Sequence, residues 1–431
     1  MATRRLLRGL TRHADSPRLL LFPTPQISQH RATSTQASAI VTQFRRQLHT
    51  KTSSEKSLDT TPSPPPPPSP QALRPISHAF DPANSKPPAQ SSTSTSFSII
   101  RPEIFARTQE RQHANPIHPS SHRVPWPTSL PIALQSKHWR QAEAAATTYL
   151  QTISTSHSTP LTLDTARTRT LIDTAVSYTV NLVPLSNITR IQLLAKTYVL
   201  LFLHDDAVDT PTPALSIPPR SAVSHNQGST ADYLAYDILA KEVLTENPHE
   251  GARLVEEIIS WGSVTQRERP KRFGSLEEYL SHGLEDFGAD LILQTVRFAC
   301  GTSIEDVRAL ERLKALCARH LLLTNDLYSY AKEVRAEAET GEVVLNAVRV
   351  VRGLMGGDEF DDALAARVLR VVIRDVEDRM SAECLRLEQS GLLSAAQLVY
   401  ARAMVVAVAG NMFFSATSPR YAGAVAGTKL A

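Results

Sequence analysis

Residues 191–209 read IQLLAKTYVLLFLHDDAVD, and residues 321–333 read LLLTNDLYSYAKE. In the first stretch Ile191, Leu194, Tyr198 and Leu201 recur at the spacing of one buried helix face. Continuing the count places Asp205 next on that face, with Asp209 one turn further. An apolar face that turns acidic is costly unless something compensates. A hard divalent cation compensates well, because oxygen ligands suit magnesium. The plain alternative is a solvated helix end, where aspartates are common. In the second stretch Asn325, Ser329 and Glu333 follow one another at helical i, i+4 spacing, behind the apolar Leu321 and Leu322. An amide oxygen, a hydroxyl and a carboxylate brought together in this way chelate one hard cation, with waters completing the shell. The alternative is an ordinary surface stripe. Each motif is expected at the C-terminal end of an apolar helix, so two opposing helices could hold a metal cluster at one mouth of a bundle.

Helical periodicity dominates the surrounding chain. It predicts helices over Trp139 to Ile153, Leu163 to Leu182, Ile188 to Asp209, Ala231 to Leu244 and Ala252 to Val264. Further helices are expected over Leu276 to Phe298, Ile304 to Glu339, Val343 to Gly353, Asp361 to Gln389 and Ser394 to Phe414. A polar, proline-rich loop separates the third from the fourth. Strand patterns are nearly absent, and no glycine-rich phosphate loop or nucleophile elbow occurs. The expectation is all-α: one helical domain over 96–431, after a leader over 1–95.

The leader is rich in Ser, Thr, Pro, Gln and Arg, and Thr61 to Pro70 reads TPSPPPPPSP. Such a segment buries too little apolar surface to offset its ordering entropy, so disorder is expected. Its first residues carry Arg4, Arg5, Arg8, Arg12 and Arg18, with Asp15 the only acidic residue before Glu55. That is the texture of a mitochondrial transit peptide; a solvated basic tail on a cytoplasmic protein is the other reading, and the one adopted.

A net charge of +4, much of it in the leader, is too mild for a nucleic-acid binder, and no basic stripe with interleaved aromatics occurs. Cys300, Cys317 and Cys384 lack metal-ligand spacing and read as free thiols. No run of apolar residues is long enough to span a membrane. The sequon Asn187-Ile188-Thr189 carries little weight without a secretory signal.

The two acidic motifs together resemble the DDxxD and (N/D)Dxx(S/T)xxxE motifs of class I terpene synthases. The wording NDLYSYAKE, followed by LNAV at Leu345 to Val348, is most similar to fungal enzymes: the trichodiene synthases and the cyclase halves of fusicoccadiene-type chimeric synthases. The resemblance covers about Val124 to Tyr421. It implies the α-helical isoprenoid synthase fold, and a terpene cyclase that ionises a linear isoprenyl diphosphate, farnesyl or geranylgeranyl, and cyclises the cation. It implies three Mg²⁺ ions, with Asp205 as a ligand, Asp206 and Asp209 in support, and Asn325, Ser329 and Glu333 chelating the third. By the same resemblance Lys332 contacts diphosphate, and Arg420 and Tyr421 in SPRYAG grip it. For Arg420 the structural alternative is a helix-end cation. Tyr198, Phe202, Phe287, Phe413 and Phe414 are candidates for a ring-lined, cation-stabilising pocket, each also a plausible plain core residue. A homodimer is one assembly left open.

One position departs from the family. Its diphosphate-sensing arginine falls within EEYLSHGLEDFGAD, where this chain has Gly283, or His282 under a shifted alignment. If the site has merely decayed, an arginine at either position is expected to raise activity. Gly288 and Ala289 match the small residues at which the family's helix breaks. Two competing readings follow: a chain-elongating prenyl diphosphate synthase, disfavoured by the Asn/Ser/Glu second motif, and a catalytically silent helical homologue that serves as a binding protein.

Overall fold

The computed structural model describes residues 73–85, 97–156, 165–208, 217–218, 233–265, 267, 270, 272–341 and 343–430. Its main helices are α1 (Trp139–Ser156), α2 (Thr165–Leu182), α3 (Ile188–Val208), α4 (Leu234–Glu246), α5 (Pro248–Val264) and α6 (Leu276–Asp286). They continue with α7 (Ala289–Cys300), α8 (Glu311–Thr340), α9 (Ala347–Met355), α10 (Asp362–Ser390), α11 (Ala395–Thr417) and the one-turn α12 (Pro419–Ala422). A small antiparallel ribbon, β1 (Ala114–Ile117) and β2 (Ala133–Ser136), pairs Ala114 with Ser136 and Ile117 with Ala133. The fold is the expected helical bundle.

Local sequence sets the helix ends. Asn187 accepts from Arg190 N at 2.9 Å and starts α3. Asn247 accepts from His249 N and Glu250 N, with Pro248 at the first helical position of α5. Ser394 and Gln397 form a capping box at α11. The helix that periodicity predicts over Leu276 to Phe298 is broken, at the Gly288-Ala289 pair to which the resemblance pointed: Phe287 ends α6, and Gly288 adopts a left-handed φ of 73° before α7. A side chain at Gly288 would also meet the Trp261 ring at 2.8 Å. Only glycine satisfies both constraints. The helix expected from Val343 begins at Ala347 instead, because the Asn346 side chain caps Val348 N at 2.8 Å.

Helix α11 is the axis of the core. It packs against α2, α7, α8 and β2. At Gly410 the backbone of α2 comes so close that a Cβ would stand 1.9 Å from Asn181 O. Its length and a mean hydropathy of 1.5 would let it cross a membrane, but 83% of that apolar window is buried inside the domain. It is a core helix. Around it α3 packs on α1 and α2, while α8 packs on α10 and α11. The two motif-bearing helices therefore flank the same core.

The leader boundary needs correction. Residues 73–85 lie on the domain, with Phe80, Ala83, Arg74 and Asp81 all buried. A polar, proline-bearing segment cannot form a core of its own, yet it can be held by one already formed. The remaining expectations for the leader concern residues outside those described.

Candidate active site

The apolar stripe of α3 is buried as expected: Ile191 and Leu194 are fully covered, and Tyr198 and Leu201 nearly so. Its continuation differs. His204 carries the buried face onward, with Nε2 3.0 Å from Thr265 Oγ1 and its ring beside Trp261. Asp205 sits instead at the rim, with a side chain 55% exposed. The side chain of Asp206, and all of Asp209, lie outside the described residues.

The second motif lies in the middle of α8 rather than at its end, since the helix runs on to Thr340. The Ser329 hydroxyl donates to Glu333 Oε1. The Asn325 amide donates to the Tyr421 hydroxyl at 2.7 Å. The Asn346 amide donates to Glu333 Oε2 at 3.0 Å and to the Asp326 carbonyl at 2.9 Å. The neighbouring Asp326 plays a structural part. Its buried carboxylate accepts from the Tyr279 hydroxyl at 2.5 Å and from Ala347 N at 2.9 Å, and so fixes α6 and α9 against α8. Burial, and then the proximity of Glu333, push its pKa far above the ordinary carboxylate range.

Arg420 and Tyr421 on α12 connect the two motifs. Arg420 Nη2 donates to Asp205 Oδ2 at 3.0 Å, and its guanidinium stands 5.2 Å above the Phe202 ring. Tyr421 reaches Asn325 on the opposite helix. Burial raises the Glu333 pKa; the hydrogen bonds from Ser329 and Asn346 and the Lys332 charge oppose this, and Asp205 adds to the rise. Burial pushes the Tyr421 hydroxyl up to about 12. Asp205, Asn325, Ser329, Lys332, Glu333, Arg420 and Tyr421 thus gather in one place.

This donor set suits a hard divalent cation. The Asn325 amide nitrogen donates to Tyr421, which leaves the amide oxygen available to a ligand. Glu333 accepts the Ser329 hydrogen bond, which leaves the serine oxygen's lone pairs available. With the Asp205 and Glu333 carboxylates, every ligating atom is oxygen, the chemistry that magnesium prefers. Among the described residues no group of three or more His, Cys, Asp or Glu side chains converges.

Below the rim lies a group of rings. Tyr178 packs edge-on against Tyr198 at 4.8 Å, Phe202 at 5.9 Å and Phe414 at 4.9 Å, and Phe414 meets Tyr421 at 5.8 Å. Three of the sequence candidates, Tyr198, Phe202 and Phe414, belong to it. Phe413 turns to the other side of α11 and faces Trp126, while Phe287 stands at the α6–α7 break. Tyr178, the hub, escaped the sequence reading because α2 carries no chemical motif to draw attention to it.

Gly283 is buried in α6, and a Cβ there would stand 3.1 Å from Leu322 Cδ2 and from Tyr279 Cζ. A side chain there needs both neighbours to give way, so an arginine would have to displace Leu322 and Tyr279. His282 is exposed, with its ring 5.7 Å from Phe273.

Residues 196–379 match the family described as terpene synthase family 2, C-terminal metal binding. The chain is 30% identical over 370 residues to terpene cyclase 6 of Gibberella fujikuroi, covering 81% of this chain and 95% of that protein. It is 27% identical over 390 residues to terpene cyclase aneC of Aspergillus aculeatus, covering 86% and 87%. In structure it is similar to aristolochene synthase from Penicillium roqueforti, with a TM-score of 0.53 at 21% identity, over 68% of this chain and all of the other.

Proposed function

This chain belongs to the class I terpene synthases of fungal type, and from that premise we propose that it ionises a linear isoprenyl diphosphate with the help of Mg²⁺ and cyclises the resulting carbocation. The observation that carries this reading is the bridge made by α12: Arg420 binds Asp205 of the first motif and Tyr421 binds Asn325 of the second.

Asp205 on one side, and Asn325, Ser329 and Glu333 on the other, would hold the metal. Bound Mg²⁺ neutralises diphosphate and makes it a competent leaving group. The chain's own residues do the rest. Arg420 and Lys332 donate to phosphate oxygens, and the Tyr421 hydroxyl fixes the same end of the substrate. In ligand-free protein the Arg420–Asp205 pair satisfies both charges; the substrate's diphosphate takes over Arg420 and frees Asp205 for the cation. The carbon–oxygen bond then breaks, its electron pair leaving with diphosphate, and an allylic cation remains. Phe202, Tyr178 and Phe414 lie beneath the rim, where ring faces stabilise a cation by roughly 0.5–2 kcal/mol each and apolar walls exclude the water that would quench it. A terpene, farnesyl- or geranylgeranyl-derived, is the expected product.

The test uses the full chain with Mg²⁺ and geranyl, farnesyl, geranylgeranyl and geranylfarnesyl diphosphates in turn, the extract being read by gas chromatography–mass spectrometry. A cyclic hydrocarbon or alcohol that disappears with EDTA supports the proposal and fixes the substrate length. A lengthened isoprenyl diphosphate made in the presence of isopentenyl diphosphate would replace it with chain elongation. A folded protein that converts none of them would replace it with a silent homologue.

A further inference from the structure

Residues 73–85 take no part in the reaction just described, yet they touch both halves of its site. Ala79 N donates to Thr428 O at 2.9 Å, and Leu430 N donates to Ser77 O at 2.9 Å. His78 and Lys429 thereby form an antiparallel bridge. Phe80 N donates to Ala416 O, in the last turn of α11, at 3.1 Å. The Thr428 hydroxyl in turn donates to Ala422 O, the last residue of α12, at 3.0 Å. The chain on both sides of Arg420 and Tyr421 is thus fastened by one short segment near the other end of the sequence.

The same segment reaches α8. The Asp81 carboxylate pairs with Arg370 at 2.8 Å, and both side chains are almost wholly buried, at 4% and 1% exposure. Arg370 donates onward to the Tyr328 hydroxyl at 3.0 Å, and the Phe80 ring meets Tyr328 edge-on at 5.2 Å. Tyr328 directly precedes Ser329. At the near end Arg74 pairs with Asp173 of α2 at 2.8 Å and Glu143 of α1 at 3.1 Å, while its backbone N–H donates to Gln135 Oε1 at 2.6 Å.

We propose that residues 74–81 form a strap that positions the diphosphate-gripping Arg420–Tyr421 pair and the α8 ligand face together, with Asp81 and Thr428 as its positioning residues. The proposal rests on the reading of the site given above. Its physical basis is the size of α12. A one-turn helix cannot hold its own orientation, because nucleation costs more than a single turn of hydrogen bonds returns. Its direction is set from outside: by the Ser418 cap, by packing on α8 and α2, and by the tail that follows it, which is tied to the strap. The buried Asp81–Arg370 pair completes the link to α8. Removing one partner leaves an uncompensated charge against Tyr328. A chain cut anywhere within residues 1–72 keeps the strap, whereas a cut beyond Asp81 loses it.

The experiment measures binding of inorganic diphosphate, with Mg²⁺ present, by isothermal titration calorimetry on the full chain, alongside thermal unfolding. The mild variants are Thr428→Val and a deletion of residues 428–431. The third is the double variant Asp81→Asn with Arg370→Gln, which removes the pair without stranding a charge. The expected result is cooperative unfolding in all three, with affinity for diphosphate weakened on the order of tenfold, about 1.4 kcal/mol. With a substrate that wild type turns over, KM should rise more than kcat falls. Wild-type affinity in all three variants, or a lowered melting temperature with affinity unchanged in the folded protein, would reduce the strap to a stabilising element and overturn the proposal. Wild-type protein that binds no diphosphate would overturn the reading of the site itself, an outcome visible before any variant is made.

Discussion

Asn346 is the sharpest place to test how the site is built. Its amide donates to Glu333 Oε2 at 3.0 Å and to the Asp326 carbonyl at 2.9 Å, while its oxygen caps α9 at Val348 N. Asn346→Asp keeps a good helix cap but replaces the donor with an acceptor, opposite two acceptors. Two hydrogen bonds are lost at about 1 kcal/mol each, and a buried acceptor is left unmet at about 1–3 kcal/mol, so the total is about 3–5 kcal/mol. At about 2 °C per kcal/mol for a domain of this size, the melting temperature should fall by about 6–10 °C. The same change sets a second negative charge beside Glu333 and removes the donor to its Oε2, leaving only Ser329 on Oε1. If about 1.4 kcal/mol of the loss falls on cation binding, the Mg²⁺ needed for half-maximal turnover rises tenfold. Asn346→Ser, which keeps a cap without charge, should fall between wild type and Asn346→Asp. The assay is a Mg²⁺ titration of turnover at a temperature where every variant is folded. A wild-type Mg²⁺ requirement in Asn346→Asp would refute the idea that this amide prepares Glu333 for the metal.

The remaining predictions concern the motifs, the missing arginine and the buried polar network. Asp205→Asn and Glu333→Gln should each cut turnover by at least 100-fold with little change in circular dichroism; near-normal turnover in both would remove them from the metal site. Gly283→Arg should not raise activity, against the expectation for a decayed site, because the side chain must displace Leu322 and Tyr279. Overpacking of this kind costs about 1–3 kcal/mol, to be read as a lower melting temperature, and a gain in turnover would show that the packing argument fails. His282→Arg, on an exposed position, should leave stability unchanged within about 0.5 kcal/mol in a denaturant titration. Glu377 is buried, which alone would raise its pKa, yet donors from His320, Ser129 N and Thr128 hold it below the ordinary value. A lowered folded-state pKa adds stability that is present above the unfolded carboxylate value and is lost as pH falls through the folded one. Glu377→Gln should therefore flatten the acid side of the stability–pH curve, and an unaltered acid limb would exclude Glu377 as its source.

Much of the fold was legible because helical periodicity is a local property. The stripe Ile191, Leu194, Tyr198 and Leu201 could be read directly, as could the fixed spacing of Asn325, Ser329 and Glu333. Caps at Asn187, Asn247 and Ser394 are likewise written in a few adjacent residues. Where that reading stopped short, the cause was packing. Asp205 sits at the rim, paired with Arg420, while His204 just before it is seated against Thr265 and Trp261. The α6–α7 break depends on Gly288 standing against Trp261, a residue on another helix.

The sequence by itself determined that this is a helical protein and which side chains offer oxygen donors at helical spacing, because residue type and helical spacing require no knowledge of neighbours. Only the tertiary structure decided how those side chains are held. The partners lie far apart in the chain: Arg420 on Asp205, Tyr421 on Asn325, Asn346 on Glu333, Asp81 on Arg370. No local pattern encodes such pairings, since they exist only once the core around α11 has brought α3, α8, α12 and the strap within hydrogen-bonding distance. The closed position at Gly283 has the same origin: whether a side chain fits is settled by Tyr279 and Leu322, and their nearness is a property of packing.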